Sequence, residues 1–208
     1  MSKTYEKINI LVLGNSSVGK TSFILKYTEN IFRASYLTTI GIDYKTKFIN
    51  LNNKKYKIDF FDTAGQERYK SIALNIIKNA DGILLLYDIT QQVSFDSISQ
   101  WIKDIENVKG DNALIVLIGN KCDLTEDRTI NKEKGEELAN KYGVSFFETS
   151  NKLGTNIENA ALELINQIIK KNEKNIVKDF EIINKNDIIV LDRLNSQEVI
   201  KHKCNCKK

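Results

Sequence analysis

A run of residues near the start of the chain has the types and spacing of a phosphate-binding site. The stretch Gly14-Asn15-Ser16-Ser17-Val18-Gly19-Lys20-Thr21 fits the pattern G-x-x-x-x-G-K-[ST]. Gly14 and Gly19 can adopt backbone angles that would strain other residues, so successive N–H groups can surround an anion. Lys20 can reach the outer phosphates, and the Thr21 hydroxyl can bind Mg²⁺. Alone, the pattern separates neither ATP from GTP nor a kinase from a switch, and a glycine turn that happens to precede a lysine would also match it.

This loop needs a strand before it and a helix after it. Residues 8–13 form a short apolar run typical of a buried parallel strand, and residues 22–32 carry apolar side chains at helical spacing. The context is therefore strand, loop and helix, which places the positive end of a helix behind the bound anion.

Strand-like and helix-like stretches alternate through the rest of the chain. A hairpin is predicted from 44–51 to 56–61, with Asn52-Asn53 as its turn. Alternating elements imply a mainly parallel sheet covered on both faces by helices, and the hairpin adds one antiparallel edge. We predict a domain over residues 1–171 and a flexible tail over 172–208, where periodicity decays. The remaining predicted strands are 82–87, 114–118 and 145–147, and the remaining helical faces are 95–108, 132–142 and 157–168.

Polar motifs follow several of these strands, and parallel strand ends share one edge of a sheet. Asp62 is suited to hold Mg²⁺ beside a phosphate loop, although an aspartate there could also form a turn or a helix cap. Gly65 can bring its N–H close to a terminal phosphate. Gln66 can orient an attacking water molecule because its amide both donates and accepts hydrogen bonds.

A second pair of motifs carries base identity. In Asn120-Lys121-Cys122-Asp123, the carboxylate can accept hydrogen bonds from the N1–H and exocyclic amine of guanine, and adenine lacks the matching donors. Lys121 can lie along the base, and Asn120 can tie this loop to the phosphate loop. Ser150-Asn151-Lys152 can supply a backbone N–H to the guanine carbonyl and a lysine stem over the ring. Standing alone, the tetrapeptide would be interpreted as a solvated turn.

Composition limits the class of protein. With 208 residues and 41% hydrophobic content, the chain suits one soluble domain with a tail, and a net charge of +4 argues against a nucleic-acid binder. The N-terminus lacks the apolar core of a signal peptide, Ser2 excludes the myristoylation pattern, and no apolar run approaches the length of a membrane span. Two of the three cysteines lie at the extreme C-terminus, which does not make a disulfide framework, so we expect the reducing cytosol.

Together the motifs resemble those of the Ras superfamily of small GTPases over residues 7–171. Within that superfamily the chain is similar to a Rab. The spacing from Asn120 to Ser150 leaves no room for the extra helix of Rho proteins. The matching motifs are the phosphate loop, Thr39, Asp62-Thr63-Ala64-Gly65-Gln66, Asn120-Lys121-x-Asp123 and Ser150-x-Lys152, with the Rab-like stretch Ile40-Gly41-Ile42-Asp43-Tyr44.

The resemblance implies an α/β fold, the small G-domain of P-loop NTPases, with a six-stranded, mainly parallel sheet, one antiparallel edge strand and helices on both faces. It implies a switch that binds GTP and GDP with Mg²⁺, hydrolyses GTP slowly without an activating protein, and regulates intracellular vesicle trafficking. Thr39 would coordinate Mg²⁺ together with Thr21 and Asp62, and Gln66 and Lys20 would be catalytic. The implied nucleotide contacts are Gly14, Ser16, Ser17, Val18, Gly19, Lys20, Thr21, Ser22, Phe32, Tyr36, Thr38, Thr39, Gly65, Asn120, Lys121, Asp123, Ser150, Asn151 and Lys152.

Some positions depart from the Rab pattern. Phe61 stands where Rabs usually have tryptophan, and Ile76-Ile77-Lys78-Asn79 replaces Tyr-Tyr-Arg-Gly, so partners of this region are expected to differ. Asn151 replaces alanine, which we expect to be tolerated because the required contact is a backbone one. A nucleotide-dependent binding module with negligible hydrolysis remains an alternative. A nucleotide kinase is less favoured, since it would not need Asn120 and Asp123.

The C-terminal residues Cys204 and Cys206 resemble the geranylgeranylation site of Rabs, with two trailing lysines as a variant. The alternative is a solvated lysine-rich end with two unmodified thiols. The resemblance further implies a monomer that does not bind nucleic acid and that cycles between cytosol and the cytoplasmic face of intracellular membranes. Its implied partners are an exchange factor, a GTPase-activating protein, effectors, a prenylation chaperone, a dissociation inhibitor and, through the lipid anchor, a membrane surface.

Overall fold

The computed structural model of the protein describes residues 5–33, 42–63, 70–110 and 113–175. Packing assigns the described residues up to 168 to one compact unit and residues 169–175, which are helical, to a second. The last helix, α6, covers residues 157–175. The other elements are β1 (Glu6–Leu13), α1 (Lys20–Glu29), β2 (Ile42–Leu51), β3 (Lys54–Thr63), α2 (Lys70–Asn79), β4 (Gly82–Asp88), α3 (Gln92–Asp96), α4 (Ile98–Lys109), β5 (Ile115–Asn120), α5 (Lys132–Tyr142) and β6 (Ser145–Thr149).

The strands form a six-stranded sheet in the order β2-β3-β1-β4-β5-β6. The β2–β3 pair is antiparallel, and the other neighbouring pairs are parallel. Asn52 and Asn53 in the hairpin turn have φ angles of 50° and 62°, the left-handed pair that a two-residue hairpin loop requires. The predicted fold class, a mainly parallel sheet with one antiparallel edge, is therefore confirmed.

The helices cover both faces of the sheet because successive strand residues point to opposite sides. On one face, Leu11, Leu85 and Leu117 belong to a buried cluster with Ile102 and Ile105 of α4. On the other face, the Tyr27 ring of α1 meets the edge of the Phe60 ring with centroids 5.2 Å apart. A Cβ on Gly82 would come within 2.8 Å of Leu164, so this glycine lets α6 approach β4 closely.

The sheet brings the polar motifs together. In the parallel pair of β1 and β3, Val12 lies opposite Asp62, so the phosphate loop begins beside that aspartate. In the parallel pair of β5 and β6, Asn120 lies opposite Thr149. Segments far apart in sequence therefore meet at the carboxyl edge of one sheet, as the strand-end positions predict.

Helix ends differ from the predictions more than the strands do. Helix α1 ends at Glu29 instead of near residue 32, because Asn30 adopts a left-handed φ of 55° and its N–H bonds back to the carbonyls of the last turn. The predicted helical face over 95–108 is divided into α3 and α4 at Ser97, whose hydroxyl donates to the Val93 carbonyl at 2.7 Å. The sequence does not predict α2. No helix in the described part of the chain is long and apolar enough to span a membrane.

Candidate functional site

The loop between β1 and α1 has the backbone that its sequence pattern predicts. Gly14, Ser17 and Gly19 have φ angles of 137°, 64° and 99°. A Cβ on Gly14 would collide with the carbonyl oxygen of Leu86, so only glycine lets the loop leave β1 this close to β4. The loop runs directly into the first turn of α1, which contains Ser22. The geometry is a curved backbone with a helix N-terminus behind it, which suits an anion.

The Lys20 side chain folds back across this loop. Its amine donates to the carbonyl oxygens of Gly14 at 3.0 Å and Asn15 at 2.8 Å, and the residue is 5% exposed. Burial lowers the pKa of Lys20 to about 8, and the nearby charge of Asp62 partly opposes that shift. An anion in the loop would supply the opposite charge that this buried ammonium needs.

A hydroxyl and a carboxylate meet beside the loop. The Thr21 hydroxyl donates to Asp62 Oδ2 at 2.6 Å, and Asp62 is 3% exposed at the end of β3. Mg²⁺ takes oxygen ligands, usually one or two from the protein with the rest from phosphates and water. Among the described residues, no group of three or more His, Cys, Asp or Glu side chains could hold a metal on its own. The pair therefore fits a Mg²⁺ ion shared with a phosphorylated ligand.

The Asn120 side chain joins the second motif to the phosphate loop. It is fully buried, its amide donates to the Val18 carbonyl at 2.7 Å, and its Oδ1 accepts the Thr149 hydroxyl at 3.0 Å. Asn151 makes a similar contact, donating to the Gly19 carbonyl at 3.0 Å. The predicted link between Asn120 and the phosphate loop is present. The Asn151 side chain adds a second link, whereas we expected only a backbone contact at that position.

The predicted base-recognition residues lie together in the described structure. Ser150 donates its hydroxyl to Asp123 Oδ1 at 2.5 Å, which fixes the carboxylate and leaves its other oxygen for a ligand. The Lys121 amine lies 2.5 Å from Oδ2 of Asp88, a fully buried carboxylate at the end of β4. The Asp88 Oδ1 accepts hydrogen bonds from Thr90. Lys121 is thus oriented by a strand that carries none of the predicted motifs.

Two hydrogen bonds between the phosphate loop and the start of α4 could not be predicted from the sequence. The amide of Asn15 donates to the Ser97 hydroxyl at 3.0 Å and accepts the Trp101 indole N–H at 3.0 Å. The loop pattern allows any residue at position 15, so it does not predict a role for Asn15. The sequence predicts Trp101 only as part of the apolar face of a helix. These two hydrogen bonds therefore attach the phosphate loop to the first turns of α4 and its N-cap residue.

Some of the remaining predicted site residues lie in the part of the chain that the structure describes, and others lie outside it. Ser17 and Lys152 are exposed, Ser16 is half-buried, and Phe32 is 41% exposed just beyond α1. Tyr36, Thr38, Thr39, Gly65, Gln66, Cys204 and Cys206 lie outside the described residues.

A half-buried ion pair lies next to the predicted base-recognition residues. Arg128 binds both carboxylate oxygens of Glu148, with nitrogen–oxygen distances of 2.6 and 3.0 Å. Their side chains are 22% and 12% exposed, and the hydrogen bond to Glu148 raises the pKa of Arg128. Glu148 lies in β6, immediately before Thr149 and Ser150. The pair therefore stabilises the strand end that carries Ser150.

Replacing Arg128 with alanine is expected to lower the free energy of unfolding by about 2 kcal/mol, the scale of a charge-assisted hydrogen bond left without its donor. Urea unfolding at one fixed nucleotide concentration measures it, since bound ligand raises apparent stability. The matched control is Lys132→Ala, which breaks an ion pair to Glu136 whose side chains are 57% and 49% exposed. We expect little change there. Equal effects of the two substitutions would contradict this stabilising role.

Comparisons with known proteins agree with this geometry. The model of the Ras family matches residues 9–170. The chain is 43% identical to the Ras-related protein Rab-8B of Pongo abelii over 172 residues, which cover 82% of this chain and 83% of the relative. It is 42% identical to Rab-8A of Rattus norvegicus over 177 residues, covering 85% and 86%, and 42% identical to Rab-8 of Diplobatis ommata over 175 residues, covering 84% and 83%. The chain therefore belongs to the Ras family of small GTPases and, within it, to the Rabs.

Proposed function

We propose that the site binds GTP and GDP with Mg²⁺ and acts as a switch. The phosphates would lie in the loop from Gly14 to Thr21, and Thr21, Thr39 and Asp62 would hold the metal. The guanine would lie between Asp123 and the loop that follows β6. The observation that carries this proposal is the Asn120 bond to the Val18 carbonyl, because it joins the base loop to a phosphate loop 102 residues away.

The bound nucleotide of the purified protein tests this proposal directly. Acid extraction followed by chromatography is expected to yield guanine nucleotide, and chelation of Mg²⁺ is expected to speed its release. A protein carrying adenine nucleotide, or none in the presence of Mg²⁺, would contradict the assignment. The same extract distinguishes GTP from GDP, and thus reports which state of the switch accumulates.

The cellular role that fits this site is regulation of intracellular vesicle trafficking. Membership of the Rab family supports it. GTP would fix the arrangement of the segments around Thr39 and from Gly65 to about Ile77, and hydrolysis would release that arrangement, as in other GTPase switches. Effectors would bind the ordered form, an exchange factor would reload it, and an activating protein would accelerate hydrolysis. Residues 1–171 would form the nucleotide-binding domain, and residues 172–208 would form the tail that reaches the membrane.

A lipid anchor at the C-terminus completes the proposal. Cys204 and Cys206 would carry geranylgeranyl chains, and a prenylation chaperone and a dissociation inhibitor would be needed to handle them. Each buried methylene contributes about 0.8 kcal/mol, and a single short lipid binds only reversibly. Two chains would hold the protein firmly. The basic residues Lys201, Lys203, Lys207 and Lys208 would add attraction to an anionic leaflet.

Serine substitution tests the anchor. Cys204→Ser or Cys206→Ser alone is expected to weaken membrane retention, and the double substitution is expected to leave a soluble protein that still binds GTP. Cell fractionation measures retention, and the intact mass of protein from its native cells counts the lipids. Membrane association that survives the double substitution, with an unmodified C-terminus, would contradict the anchor and leave the GTPase assignment standing.

A further inference from the structure

Two buried carboxamides donate to consecutive carbonyls of the phosphate loop. Asn120 reaches the Val18 oxygen at 2.7 Å, and Asn151 reaches the Gly19 oxygen at 3.0 Å. The two residues are 0% and 4% exposed. Asn120 is the last residue of β5, whereas Asn151 lies in the loop that follows β6, so the two amides come from different segments. The phosphate loop is therefore held by hydrogen bonds from two separate segments.

The Gly19 carbonyl is the point where the phosphate loop becomes a helix. It accepts the Phe23 N–H at 2.8 Å, a bond of the first turn of α1, and it also accepts the Asn151 amide. Gly19 has a φ of 99°, and a Cβ there would lie 2.8 Å from the Asn151 nitrogen and would collide with the Asn120 amide. The absence of a side chain at this position is thus what allows both amides to reach the loop.

The oxygen of the Asn151 amide indicates whether this residue acts mainly through stability or through geometry. This oxygen, Oδ1, is buried and accepts no hydrogen bond from the described residues. An unpaired buried acceptor costs free energy, so the Asn151 amide adds less to the free energy of unfolding than a fully paired amide would. The stronger consequence is geometric, because the bond holds the loop after β6 at a fixed distance from the loop after β1.

We propose that Asn151 is a positioning residue that couples guanine binding to phosphate binding. This inference rests on the proposed function, in which the Ser150–Lys152 loop holds the base and the Gly14–Thr21 loop holds the phosphates. A nucleotide bridges these two loops. Fixing their separation lets both ends of the ligand be held at once, which slows release of the nucleotide.

The release rate of fluorescent GDP, chased with excess unlabelled GDP at constant Mg²⁺, tests the coupling. Asn151→Ala is expected to release GDP about tenfold faster, the scale of one buried hydrogen bond. The matched control is Asn159→Ala, which removes an exposed amide whose bond goes to the Asn156 side chain at 3.3 Å, and its rate should stay at the wild-type value. Asn151→Asp keeps the shape but places a carboxylate against the Gly19 carbonyl, so its release should be faster still.

Competition with GMP separates positioning from a general structural role. GMP lacks the β-phosphate that the loop surrounds, so Asn151→Ala should weaken GDP binding and leave GMP binding within about twofold, a shift well under the tenfold scale of one hydrogen bond. Equal losses for GDP and GMP, or GDP release unchanged in both Asn151 variants, would overturn the inference while wild-type GDP binding stands. A wild-type protein that does not bind GDP would overturn the proposed function and this inference with it.

Discussion

Replacing Asp123 with asparagine is expected to weaken GDP binding by about 10⁴-fold or more and to favour xanthine nucleotides instead. Guanine presents an N1–H and an amine to the carboxylate, whereas xanthine carries a carbonyl in place of the amine. An asparagine amide can donate to that carbonyl. The Ser150 hydroxyl, 2.5 Å from Asp123 Oδ1, holds the side chain in place, so the substitution should change the donor pattern more than the geometry.

Competition of GDP, xanthosine diphosphate and ADP for the same site measures this reversal. The matched control is Asp127→Asn, which removes one negative charge from an exposed position of the same loop between β5 and α5. It should leave the relative affinities for the three nucleotides unchanged. A variant that loses GDP without gaining xanthosine diphosphate would show that Asp123 supports the loop instead of reading the base. Undiminished GDP binding would remove Asp123 from the site.

The parts of this site that sequence predicts are those tied to the backbone. Gly14 and Gly19 are required by positive φ angles and by close approaches that no Cβ could fit. Asp62 is the next-to-last residue of β3 and Asn120 is the last residue of β5. The ends of parallel strands meet at one edge of a shared sheet. Such positions leave a signal because a local pattern, the apolar run followed by a polar residue, fixes where they lie.

Contacts between side chains distant in sequence leave no such signal. Asn15 and Trp101 are 86 residues apart, and Asn151 and Gly19 are 132 apart. Each pair depends on how helices and loops pack, and no periodic pattern records that packing. Helix ends are hard to predict for a different reason, since one residue decides them. The left-handed Asn30 stops α1, although the apolar spacing continues to residue 31.

GTP hydrolysis is expected to be very slow in the isolated protein and to rise by roughly 10³- to 10⁵-fold when an activating protein supplies groups in trans. The sequence contains one arginine from 33 to 39, Arg33, and we expect it to lie too near the guanine side to act on the γ-phosphate in cis. In the proposed mechanism, Ser16 would add a side chain where Gln66 and an incoming arginine would have to fit. Gln66→Leu should abolish the accelerated rate, because leucine cannot orient a water molecule.

Single-turnover phosphate release, with and without a Rab-activating protein, measures both rates. Arg33 is the informative control, because it lines a cavity with Thr21 and Asp62 and is the one arginine in the stretch from 33 to 39. If no arginine acts in cis, Arg33→Ala will leave the intrinsic rate unchanged. A fast intrinsic rate that falls in Arg33→Ala would show that the chain supplies its own arginine. A rate unaffected by Gln66→Leu would contradict the water-orienting role, and no hydrolysis even with the activating protein would favour a nucleotide-dependent binding module.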